Sequence, residues 1–69
     1  MAESVYKIIE IVGTSPISWE KAASAAVERA SQSLRDLRVA EVCDQDVTIS
    51  DGKVEFYRVR LKISFKFED

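Results

Sequence analysis

The segment from Val5 to Val12 constrains the fold most, because both of its alternating residue sets are largely apolar. Its sequence, VYKIIEIV, is rich in β-branched residues, which favour a strand. The two sets are Val5, Ile9 and Ile11, and Tyr6, Ile8 and Val12. A strand with two apolar faces has to be covered on both. One helix covers a single face, so a neighbouring copy of the chain is the simplest cover for the other.

A helix is predicted directly after this strand. Gly13 to Pro16 breaks the strand, and Ser15 followed by Pro16 suits an N-cap and the first helical position, with Ser18 as a second candidate cap. Apolar residues then recur at three- and four-residue steps: Trp19, Ala22, Ala23, Ala26, Val27, Ala30, Leu34 and Leu37. Because alanine has little bulk, the helix should lie close against a sheet.

Two further strands follow the helix. Arg38 to Ser50 reads as a strand whose apolar residues change phase, which predicts a bulge or bend near Asp44–Asp46. Asp51-Gly52 is a tight hairpin signal. From Tyr57 to Phe67 apolar and polar residues alternate. The order predicts an α+β fold of type β-α-β-β, a three-stranded antiparallel sheet curled around one helix, in a single domain over residues 1–69.

A chain of 69 residues is too short to gain much stability from its own hydrophobic core. A core of this size rarely supplies more than about 3–5 kcal/mol. Cys43 is the only cysteine, which excludes an internal disulfide, and the chain has no histidine, which disfavours a zinc site. Since 46% of the residues are hydrophobic, self-association into a homo-oligomer is the predicted source of further stability.

Charge and composition narrow the function classes. A net charge of −2 argues against a nucleic-acid partner. The N-terminus does not resemble a signal peptide, and no apolar run approaches the roughly 20 residues that span a membrane. We therefore predict a cytoplasmic protein without a membrane partner. No histidine base, triad or recognised metal-ligand spacing is visible, so the sequence favours a binding protein over an enzyme.

Four segments carry a family resemblance: VYKIIEIVGTS at 5–15, ASQSLRDL at 30–37, DGKV at 51–54 and KISFKF at 62–67. In their order and spacing they resemble the dodecin family, over nearly the whole chain. The resemblance implies β-α-β-β subunits in a hollow homododecamer that binds a small-molecule ligand, a flavin such as riboflavin or FMN. It also implies that the family stores or buffers flavins rather than catalysing reactions.

The resemblance also implies a set of ligand-binding residues. Val39 stands where flavin-binding dodecins have the tryptophan that stacks on the flavin, Arg58 stands where a glutamine hydrogen-bonds the flavin edge, and Asp44 keeps its polar character. The predicted flavin site is therefore Val39, Asp44 and Arg58. Lacking that tryptophan, the chain is similar to a branch of the family associated with calcium. The alternative function is thus a calcium-binding or purely structural shell.

Oxygen-bearing side chains alternate along the second strand: Asp44, Asp46, Thr48 and Ser50. Their spacing overlaps that of an EF-hand loop, but Ile49 replaces the required glycine, so an EF-hand is not predicted. Asp44 and Asp46, together with a neighbouring subunit, are the predicted metal ligands. The alternative is a solvated strand face near a bend.

The last strand carries a basic stripe, consisting of Arg58, Arg60, Lys62 and Lys66. These cations suit a phosphate group, or they pair with nearby carboxylates, among which Glu10, Glu41, Asp44 and Asp46 are candidates. Cys43 is predicted to be a packed, unreactive thiol. Trp19 is predicted to cover the hydrophobic interior or a subunit seam.

Overall fold

The computed structural model describes residues 3–67. Over this range it contains four elements: β1 (Tyr6–Ser15), α1 (Trp19–Ser31), β2 (Leu37–Ser50) and β3 (Lys53–Lys66). The strand order is β1-β3-β2, so β3 is central, and it is antiparallel to both neighbours. The predicted β-α-β-β order with an antiparallel sheet is confirmed.

β1 is longer than the sequence predicted. The segment 13–15 continues the pairing with β3, so the predicted break at Gly13 is wrong. Gly13 is needed there because α1 lies very close. A Cβ on Gly13 would stand 2.2 Å from the Ala22 carbonyl oxygen and 2.9 Å from the Ala26 Cβ. The glycine therefore permits a close approach of strand and helix instead of making a turn.

α1 begins one turn later than the first candidate cap. Ser18 is the N-cap, and its Oγ accepts a hydrogen bond from the Lys21 N–H at 3.0 Å. The predicted cap at Ser15 is wrong, because the Ser15 Oγ accepts from the Ile17 N–H at 3.0 Å and so stabilises the turn before the helix. The helix ends at Ser31, before the last two residues of the predicted apolar stripe.

The core lies between α1 and one face of the sheet. Ala22, Ala26 and Ala30 of the helix are buried against three residues of the central strand, Val59, Leu61 and Ile63. This contact confirms the close, alanine-lined packing. Trp19 packs at the margin of the same core, as predicted for a residue covering the interior.

The sheet face that points away from α1 is here called the open face. Register and alternation place on it the following side chains: Tyr6, Ile8, Glu10, Val12 and Thr14 of β1; Arg58, Arg60, Lys62, Ser64 and Lys66 of β3; Val39, Glu41, Asp44, Asp46 and Thr48 of β2. Tyr6, Ile8 and Val12 are 47%, 60% and 54% exposed. The second apolar face predicted for β1 is therefore present, and no other part of residues 3–67 covers it.

Irregularities in β2 determine which of its residues reach the open face. The register with β3 shifts between Leu37 and Val39, between Val42 and Asp44, and between Thr48 and Ile49. The shift between Val42 and Asp44 confirms the predicted phase change, which was expected near Asp44–Asp46 and lies one residue earlier. Cys43, which lies in the shift, is exposed, so the prediction of a packed thiol is wrong.

The β2–β3 connection confirms the predicted hairpin. Asp51 has φ = 53° and Gly52 has φ = 74°. Two successive positive φ values characterise the two-residue turn whose twist matches that of antiparallel strands.

Candidate functional site

Two arginines and two carboxylates pair across β2 and β3 on the open face. Arg58 lies opposite Asp46, and Arg60 lies opposite Asp44. The Arg58 Nε–H donates to Asp46 Oδ1 at 2.7 Å, and its Nη2 donates to Oδ2 at 2.9 Å. The Arg60 Nη1 donates to Asp44 Oδ2 at 3.3 Å. We call Asp44, Asp46, Arg58 and Arg60 the carboxylate–arginine cluster.

The electrostatics of the cluster follow from these contacts. The hydrogen bond from Arg58 lowers the pKa of Asp46, and the charges of Arg58 and Arg60 act in the same direction, against a partial loss of hydration. The hydrogen bond to Asp46, together with its charge, raises the pKa of Arg58. Both groups are therefore ionised at neutral pH. The side chains of both pairs are partly exposed, so solvent screens their charges.

The cluster surrounds a small depression. Its volume is about 20 Å³, and it is lined by Val12 together with the four cluster residues. A space of this size holds one water-sized group or ion. Pockets for larger ligands measure roughly 300–1,000 Å³. Within one chain the depression therefore suits an ion, and a flavin ring would need walls from further copies.

The structure brings together most of the residues predicted to bind a ligand. Asp44, Asp46 and Arg58 meet in the depression. Val39 lies on the same face but further along β2, opposite Ser64 and outside the lining of the depression. Over residues 3–67, no three His, Cys, Asp or Glu side chains are grouped so that they could hold a metal ion.

The pairing interpretation of the basic stripe is confirmed for its two arginines. Lys62 lies between Glu10 and Glu41 in register. The predicted site did not include Arg60 or Val12. The signal for Arg60 was its place in the stripe, but its partner depends on a register that the sequence does not show. In the described part of the chain, no helix is long and apolar enough to cross a membrane.

The fold and the cluster together define a class of protein: a small α+β subunit with a helix on one sheet face and an exposed charged site on the other. The sequence model of the dodecin family matches residues 5–68. The chain therefore belongs to the dodecin family.

Individual relatives agree with this assignment. The chain is 56% identical to calcium dodecin from Mycobacterium tuberculosis over 64 residues, which cover 91% of this chain and 89% of the relative. It is 42% identical to dodecin from Thermus thermophilus over 65 residues, covering 94% of each chain. The relative from M. tuberculosis bears out the predicted similarity to a calcium-associated branch.

Solved structures show the same fold. The dodecin of Streptomyces coelicolor superposes with a TM-score of 0.95 at 42% identity, covering 100% of this chain and 99% of that one. The crystal structure of the M. tuberculosis calcium dodecin, described as calcium-chelating with a novel calcium-binding site, gives a TM-score of 0.83 at 53% identity, covering 94% and 93%.

Proposed function

We propose that this protein is a non-catalytic subunit of a dodecin-type assembly and that it binds calcium at the carboxylate–arginine cluster. The observation that carries the proposal is the convergence of Asp44 and Asp46 on one ion-sized depression. Calcium prefers carboxylate oxygens of this kind. The 56% identity with a protein named calcium dodecin supports the same ligand.

Binding requires the two carboxylates to exchange their arginine partners for the ion. Because both pairs are partly exposed, water can solvate the guanidinium groups once the ion has taken their place. Calcium takes about six to eight oxygen ligands, more than two carboxylates supply. Water and oxygens from further copies of the chain would complete the set. The bound ion would supply the positive charge that the guanidinium groups provide in its absence.

Several features support assembly into a homododecamer. The described part of the chain measures 54 × 20 × 14 Å, a thin body with most side chains at its surface. Beyond the Ser15–Tyr57 pair, β2 and β3 continue as a two-stranded arm, and Ile49 and Val54 on it are 70% and 49% exposed. An uncovered hairpin is marginal in water. The apolar open face and this arm are the surfaces that further copies would cover.

Size-exclusion chromatography with light scattering tests the assembly. The expected mass is about twelve times the 7.8 kDa of the chain. The number twelve comes from the dodecin family, whereas association itself follows from the exposed apolar surface. A monomer or dimer at micromolar concentration would contradict the proposal.

Isothermal titration calorimetry with calcium tests the site. Asp44→Asn and Asp46→Asn should each weaken binding at least about tenfold, since a charged oxygen ligand is lost. Asp51→Asn is the matched control, because Asp51 lies in the hairpin turn away from the cluster and asparagine tolerates its positive φ. EGTA should lower the melting temperature of the wild type and of Asp51→Asn. The site would be refuted if the wild type released no heat on titration with calcium. It would also be refuted if Asp51→Asn weakened calcium binding as much as the two cluster variants do.

Flavin binding is the second candidate, and one observation favours it. Val39 and Ile8 lie on either side of Ser64 on the open face and are 61% and 60% exposed. The charged row of Glu10, Lys62 and Glu41 separates them from the cluster. In an assembly Val39 and Ile8 would contact one face of a planar ring, with Asp44 and Arg58 of a further copy as polar partners.

Titrating riboflavin and FMN with protein, while following flavin fluorescence, separates the two candidates. Saturable quenching by the wild type supports flavin binding. Val39→Trp should then strengthen it about two- to tenfold, because stacking contributes about 0.5–1.5 kcal/mol. Absence of quenching by both proteins at micromolar concentration would exclude this candidate.

A further inference from the structure

Trp19 lies directly behind the carboxylate–arginine cluster, on the opposite face of the sheet. Two serines determine its position: Ser18 caps the helix that begins at Trp19, and the buried Ser15 accepts a hydrogen bond from Ile17 in the preceding turn. Ser15 also lies opposite Tyr57 in the sheet. The start of the helix is thereby held at the level of the cluster.

The indole contacts both strands that carry the cluster. Its Nε1–H donates to the carbonyl oxygen of Asp46 at 3.1 Å. Its ring packs edge-on against Tyr57, with centroids 5.2 Å apart and an interplanar angle of 79°. Asp46 and Arg58 are opposite each other in register, and Tyr57 directly precedes Arg58. One side chain therefore bonds to the backbone of Asp46 and packs against the side chain of the residue before Arg58.

The Asp46 backbone needs such a support. β2 is an edge strand, and its register shifts on both sides of Asp46, between Val42 and Asp44 and between Thr48 and Ile49. Bulges locally disrupt the ladder, so fewer backbone hydrogen bonds define the strand there. An indole N–H can only donate, and here it donates to the residue whose carboxylate belongs to the site.

We propose that Trp19 is a positioning residue for the calcium site: through the Asp46 carbonyl it fixes the strand segment that presents the Asp46 carboxylate to Arg58 and to the ion. The part concerning calcium rests on the proposed function. The part concerning the orientation of Asp46 relative to Arg58 stands on the geometry alone.

The test uses Trp19→Phe in the full-length, assembled protein. Phenylalanine keeps an aromatic ring against Tyr57 but removes the N–H donor. Calorimetry should show a calcium Kd raised about two- to tenfold, as expected for loss of one hydrogen bond. In calcium-free protein, hydrogen exchange of the Arg58 Nε–H, followed by NMR, should be faster than in the wild type because the ion pair is less well aligned.

Two control variants separate positioning from general destabilisation. Tyr57→Phe keeps the ring that contacts Trp19, and it should leave both the calcium Kd and the Arg58 exchange rate unchanged. Ile63→Val truncates a core side chain away from the cluster. It should lower the melting temperature without changing either measurement. If Ile63→Val raises the Kd as much as Trp19→Phe does, the positioning role is refuted.

The two measurements also distinguish this inference from the proposed function. If neither the wild type nor any variant binds calcium, the calcium function is refuted. The exchange rate of the Arg58 Nε–H alone then decides the role of Trp19. If the wild type binds calcium and Trp19→Phe matches it in both Kd and exchange, the calcium function stands and the positioning role is overturned.

Discussion

Replacing Gly13 with alanine tests whether the helix depends on a strand position without a side chain. The new Cβ would lie 2.2 Å from the Ala22 carbonyl oxygen, whereas real Cβ atoms essentially never come closer than 3.0 Å to another heavy atom. The obstructing atom belongs to the helix backbone and cannot rotate away. The helix therefore has to move outward by roughly 1 Å, and a gap of that size forfeits a quarter to a half of each dispersion contact.

We expect Gly13→Ala to lower the free energy of unfolding by about 3 kcal/mol, the upper part of the range for overpacked cores. Guanidinium denaturation at fixed subunit concentration measures this, because the stability of an assembly depends on concentration. Gly52→Ala is the contrast. No atom of residues 3–67 lies within 4 Å of its new Cβ, but φ is +74°, so only a conformational cost of about 1–2 kcal/mol is expected.

Two results would refute the reasoning about Gly13. One is a loss below about 1 kcal/mol, which would mean that the helix yields without losing its contacts. The other is full restoration by adding Ala26→Gly. That change relieves only the 2.9 Å contact and leaves the Ala22 carbonyl in place, so partial restoration at most is expected.

Three further predictions concern the core, the helix cap and acid stability. Leu61→Ala should lower the free energy of unfolding by about 2–5 kcal/mol, because Leu61 is 1% exposed in the central strand; a loss under 1 kcal/mol by denaturant titration would show that the core lies elsewhere. Ser18→Ala should lower the free energy of unfolding by about 1 kcal/mol, because the helix loses its N-cap. Ser24 is exposed, and Ser24→Ala should not destabilise the protein. Equal changes of melting temperature in the two variants would contradict the capping role of Ser18. Arg58 lowers the pKa of Asp46, so the stability from their pair is present at neutral pH and is lost as the pH falls through that lowered pKa. In calcium-free protein, the melting temperature of Asp46→Asn should therefore fall less with decreasing pH than that of the wild type. Parallel curves of melting temperature against pH for the two proteins would refute this.

The sequence predicted the elements well because their patterns are local. Strict alternation identified β3, the alanine stripe identified the buried side of α1, and Asp51-Gly52 identified the hairpin. Gly13 was misread because a glycine required for close packing has the same sequence signature as one required for a turn. Ser15 and Ser18 both suit an N-cap, and only the path of the chain after β1 decides between them.

The pairing within the cluster was less accessible from the sequence. A two-residue turn at Asp51-Gly52 without a bulge would place Asp46 opposite Tyr57, on the helix side of the sheet. The register shift between Thr48 and Ile49 moves Asp46 opposite Arg58 instead. Because neighbouring residues point to opposite faces of a strand, a shift of one residue decides whether the two charges meet.

By itself, the sequence determined the order of the elements, the two apolar faces of β1 and the need for a cover beyond one helix, since these depend on periodicity and composition. The tertiary structure alone decided that Asp44 and Asp46 pair with Arg60 and Arg58, and that Trp19 supports Asp46 from the opposite face. Those contacts join residues 12 to 27 positions apart. They depend on bulges and on the docking of the helix, which arise from packing across the whole sheet and leave no local pattern in the chain.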